Sequence, residues 1–118
     1  MIIEFSSHYV PKGRYNLQGT RYQNNRLALV LRNADTGEPM GMLTRNLPQN
    51  PLKDGEVIIK NYSENEGCAE GLIEAGIVNP PHRWIMSGYV QMPVCWLTEK
   101  GKEIEASTSR LEHMNATS

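Results

Sequence analysis

The spacing of apolar and polar positions changes character near residue 63. Before it, short apolar runs alternate with turn chemistry. Leu17 to Gln23 reads as a strand and stops at Asn24-Asn25, a pair that tolerates the positive φ of a tight hairpin. Arg26 to Arg32 follows as a mostly apolar strand, and Asn33 to Pro39 carries Asp35, Gly37 and Pro39, all turn formers. Met40 to Leu47 resumes as a strand and ends at Pro48, which has no ladder donor. A loop rich in Pro, Asn and Gly leads to a fourth strand, Glu56 to Tyr62. Four strands on short loops predict a meander.

After Ser63 the period becomes helical. Ser63 and Glu66 have capping-box spacing, and Ala69, Leu72, Ile73 and Ile77 recur at three- and four-residue intervals. Gly76 is placed to end the helix, with Asn79-Pro80-Pro81 blocking its continuation, so a helix over 64–76 is expected. Gly67 and Gly71 weaken it by roughly 1 kcal/mol each relative to alanine. Arg83 to Met86 and Tyr89 to Leu97 read as strands around Ser87-Gly88, with Pro93 marking an edge strand or a bulge. The expected architecture is α+β: one domain over 1–98, an antiparallel sheet of about five or six strands, and one principal helix on one face. The remainder, 99–118, is a polar tail, a short helix or disordered, with little apolar surface beyond Ile104, Leu111 and Met114.

Composition limits the function classes. At 118 residues with 39% hydrophobic content, the chain is long enough for one domain with a modest core. A net charge of -1 disfavours a general nucleic-acid coat protein, and direct nucleic-acid binding is not expected. No apolar run approaches the about 18 residues of a membrane helix, and Met1 to Phe5 lacks the pattern of a secretion signal, so a cytoplasmic location is expected. Cys68 and Cys95 are too few for a disulfide framework or a thiolate zinc site, and are read as reduced thiols. No phosphate loop, nucleophile elbow or H-E-x-x-H occurs, so no catalytic residue, cofactor or metal is assigned. An enzyme would need His82 to reach Cys95 as a nucleophile pair.

Charge is unevenly distributed: residues 1–62 balance at +3, 63–98 at -3 and 99–118 at -1. Glu66, Glu70 and Glu74 stand four apart and form one stripe on the expected helix, and no lysine or arginine lies between residues 61 and 82. Like charges at that spacing cost a few tenths of a kcal/mol per pair. The stripe therefore reads either as a solvated face offset by nearby basic strands or as a partner-binding surface for a basic protein. Tyr62, Trp84, Tyr89 and Trp96 are core or, if exposed together, a ligand-stacking surface with a neighbouring arginine.

Leu43 to Pro48, Glu56 to Glu66, the helix ending near Gly76, and Ser87-Gly88-Tyr89 are together similar to an uncharacterised small-domain family. Its members are carried on bacterial plasmids, integrative elements and phages. The resemblance spans roughly residues 14–97. That family has no established activity, so it implies context only: an accessory protein of a mobile genetic element. The leading expectation is a non-enzymatic protein that binds and blocks a host protein, with an anti-CRISPR or other anti-defence role as its sharpest form. The alternative is a small-ligand or nucleotide-binding module using the aromatic and arginine surface.

Overall fold

A computed structural model describes the backbone of residues 1–117 and side chains through Thr108. Among the described residues, seven strands form two antiparallel sheets accompanied by two helices. The first sheet is a meander of β1 (Ile2–Phe5), β2 (Gly13–Arg21), β3 (Leu27–Asn33) and β4 (Pro39–Met42), in that order. The second has the order β5-β7-β6, from β5 (Glu56–Ile58), β6 (Arg83–Ser87) and β7 (Val90–Trp96). Helix α1 spans Cys68–Glu74 and α2 spans Glu99–Thr117.

This α+β architecture departs from the expected single sheet in ways that have physical causes. The meander exists, but its outer member is β1, whose alternating Ile3 and Phe5 are buried against Tyr15 of β2. The Glu56 to Tyr62 run leaves for the second sheet because the chain turns across both at residues 43–45. There the Leu43 amide donates to Leu29 of β3, while Leu43 and Ile58 accept from Lys60 and Arg45. Buried Thr44 supplies the missing ladder partner, its hydroxyl accepting from the Leu29 amide at 3.2 Å.

The helix is shorter than expected and its capping box does not form. Ser63–Asn65 makes a 3-10 turn with Ser63 at φ 52, and Gly67 at φ 88 separates that turn from α1. Tertiary pairing decides this: the Glu66 carbonyl accepts from the His8 amide at 2.9 Å, drawing it out of helical register. Asn61 instead caps the helix, its Oδ1 accepting from the Ala69 amide at 3.0 Å. At the other end Gly76, at φ 77, donates to Ile73 while Ile77 donates to Leu72, the paired bonds of a Schellman motif. Gly71 lies against the Ser6 carbonyl and the Phe5 ring, so its lack of a side chain permits close helix–strand approach.

Pro93 lies in the central strand of its sheet, not at an edge. It is tolerated because β5 ends opposite Val94; beyond it only the Pro93 carbonyl is used, accepting from Ile59 at 3.0 Å. In the tail, Glu99–Thr117 forms the helix α2. Thr98 caps it, Oγ1 accepting from the Gly101 amide, and Ile104 and Thr108 bury against Gly19 of β2. The main core joins the inner face of the first sheet, α1 and one face of the second sheet, including Leu17, Leu29, Leu72, Ile77 and Cys95. A smaller core on the other face of the second sheet holds Leu47, Ile58, Ile85, Met92 and Val94.

Candidate interaction surfaces

The three stripe glutamates reach one place despite the broken helix. Glu66, Glu70 and Glu74 are all exposed and line an open groove of about 490 Å³, whose other wall is Ser6, Ser7 and His8 after β1. Among the described residues none of the three makes an ion pair; the nearby Lys60 is taken by Glu64 at 3.0 Å. Close like charges without a counter-ion create a local negative potential that attracts a basic surface.

A second acidic position, Glu56, is built in the opposite manner. It is only 7% exposed, yet its carboxylate is fully engaged. Arg83 donates to both oxygens at 3.0 Å, the Lys53 amide donates at 2.7 Å, and His82 Nε2 lies 2.6 Å from Oε2. The guanidinium, ahead of the other donors, overcomes the upward push of burial and holds the Glu56 carboxyl down to about 2. Both His82 and Arg83 reach it because the amide of His82 donates to Val94, the residue opposite Arg83 in the ladder. Two residues facing one is β-bulge geometry, and it sets both side chains on one side. The His82 ring then stacks on Trp96, with centroids 4.6 Å apart and planes 10° from parallel. Glu56, His82, Arg83 and Trp96 with Pro51 and Leu52 line a groove of about 430 Å³.

The four aromatic candidates do not share one surface. Tyr62 is half-buried at the smaller core, with Lys60 Nζ 5.8 Å above its ring. Trp96 faces the same side of the second sheet, over Glu56. Trp84 alternates to the opposite side of β6 and is 55% exposed, and Tyr89 is fully exposed in the two-residue turn it forms with Gly88.

His82 and Cys95 also point apart. Cys95 and Trp96 are neighbours on β7 and project to opposite faces; Trp96 meets His82 while Cys95 is buried in the main core. Burial pushes the Cys95 thiol up to about 11 and the Cys68 thiol above its ordinary value, which disfavours the thiolate a nucleophile requires. Among the described residues no group of His, Cys, Asp and Glu is arranged to hold a metal ion. No helix among them is long and apolar enough to cross a membrane. The Glu56 clamp was not legible in sequence, since a glutamate opening a strand and an Arg after a His carry no pairing signal at that separation.

No protein-family model, curated protein or solved structure matches this chain.

Proposed function

We propose that this chain is a non-enzymatic accessory protein of a mobile genetic element that binds and blocks a basic host protein, as an anti-CRISPR or other anti-defence inhibitor. One observation carries the reading: three exposed glutamates converge on one groove without an ion-pair partner among the described residues. The resemblance described above supplies the mobile-element context. The test is a pull-down from bacterial lysate at physiological salt, with a variant in which Glu66, Glu70 and Glu74 are all changed to lysine. A basic nucleic-acid-processing or defence protein held by the wild type and lost by the variant supports the reading. The same protein held equally by both rules out the groove.

The alternative, a small-ligand or nucleotide-binding module, is favoured by one feature, the Trp96 face and Arg83 in a common groove with an apolar wall of Pro51 and Leu52. A planar ligand would compete with His82 for the Trp96 face. Because Arg83 is committed to Glu56, phosphate recognition there would require that pair to open. A thermal-shift screen with nucleotides at millimolar concentration decides it: no rise in Tm dismisses this module.

A further inference from the structure

Strand β6 lies at the edge of its sheet, paired on one side with β7. Strand β7 turns the backbone groups of Pro93 towards β5, as the Ile59-to-Pro93 hydrogen bond shows. Trp84 stands opposite Pro93 and Met86 opposite Gln91, two positions along the same ladder. Alternation in an antiparallel pair therefore aims the amides and carbonyls of Trp84 and Met86 away from β7. No hydrogen bond between described residues satisfies them across that edge. Their side chains, on one face of the strand, are 55% and 61% exposed.

Edge strands ordinarily carry a charge, a proline or a bulge that prevents such pairing. The other three edges are modified: β1 presents Glu4, β4 contains Pro39 and Gly41, and β5 is followed directly by the Thr44–Ile59 bridge. In β6 the sole charge is Arg83, neutralised by Glu56, and the bulge at His82–Arg83 sits at the start of the strand, before the Trp84–Met86 stretch.

We infer that β6 pairs antiparallel with β6 of a second copy of this chain about a twofold axis through Ile85, joining the two three-stranded sheets into one. The register is self-complementary. Trp84 of one copy faces Met86 of the other in a hydrogen-bonded pair, and the twofold axis repeats that pair. The thioether then lies against the indole, a favourable sulfur–aromatic contact, and no like charges oppose one another. Five strand residues make a small interface, so the dimer is reversible and concentration-dependent. This surface is separate from the acidic groove, and the inference stands or falls apart from the inhibitor reading.

Sedimentation equilibrium of the whole chain, read together with amide hydrogen exchange, tests it. The mass is expected to rise from 13.3 kDa towards twice that with concentration. Trp84 and Met86 amides gain protection in step, while the Ile85 amide, which faces β7, is protected throughout. The double variant Trp84→Lys/Met86→Lys, at two exposed positions, sets like charges opposite one another. It is expected to weaken association at least about tenfold with its circular dichroism spectrum unchanged. Three results would each overturn the inference. They are a monomer at every concentration up to about millimolar, a dimer insensitive to both lysines, and a dimer whose Trp84 and Met86 amides exchange as in the monomer. Protection of those amides only on adding a different protein would assign the edge to that partner instead.

Discussion

Glu56 and the Glu66/Glu70/Glu74 trio show what the same side chain does in two settings. Glu56 is withdrawn from water and surrounded by an arginine, a histidine and a backbone amide. Its charge is spent within the fold, fastening the start of β6 to the start of β5. The trio is left in water, without an ion pair among the described residues, on a wall facing Ser6 to His8. Charge satisfied internally contributes to stability, and charge left unsatisfied at a surface is available to a partner. The contrast gives Glu56 a structural role and leaves the trio free for the recognition proposed above.

The largest expected effect falls on the satisfied site. Glu56→Ala removes the shared acceptor of Arg83, His82 and the Lys53 amide and is expected to destabilise by about 2 kcal/mol, lowering the thermal midpoint by roughly 8–10 °C. A loss below about 1 kcal/mol would mean that the clamp is not structural. The same carboxyl should be visible in acid. Its pKa is about 2 in the fold against 4.5 ordinarily, so its stabilisation is complete above pH 4.5 and disappears as pH falls towards 2. In urea titrations across that window Glu56→Gln should show a shallower pH slope than wild type.

Gly71→Ala separates sequence reasoning from structure. Helix propensity alone predicts a gain of about 1 kcal/mol. Contact with Ser6 and Phe5 predicts a net loss of about 1–2 kcal/mol from overpacking, measurable by chemical denaturation. Cys68 and Cys95 should resist alkylation at pH 8 in the folded protein and react promptly in denaturant; rapid labelling of native Cys95 would reopen the His82 pairing. The smallest effect belongs to the trio. Replacing Glu66, Glu70 and Glu74 with glutamine should change stability by no more than about 0.5 kcal/mol, slightly upward, while abolishing partner capture. A large loss of stability would place the trio with Glu56 as structural.

Much of this was legible in local sequence. The Asn24-Asn25 turn, at φ 68 for Asn25, and the β6–β7 hairpin, at φ 61 for Gly88, follow from residues that accept unusual backbone angles. Gly76 ends α1 for the same reason, and the exposure of Glu70 and Glu74 follows from their spacing relative to Leu72 within α1, whereas Glu66 lies outside that helix. The Ser63 capping box failed because a hydrogen bond from His8, remote in sequence, outweighs a local cap worth about 1 kcal/mol. Gly71 looked like a weakness until the Phe5 ring arrived beside it.

The amino-acid sequence by itself determined the turns, the uneven charge and the type of most elements, because these depend on neighbours a few residues away; β1 was not marked, and α2 was left open between helix and disorder. Tertiary structure alone decided the split into two sheets, the place of Pro93 in a central strand and the use of α2 as a packed helix. It also closed the Glu56 clamp and separated Cys95 from His82. Each of these depends on which distant segments share a hydrogen-bond ladder, and that choice is made by burial of the whole core, which no local pattern encodes.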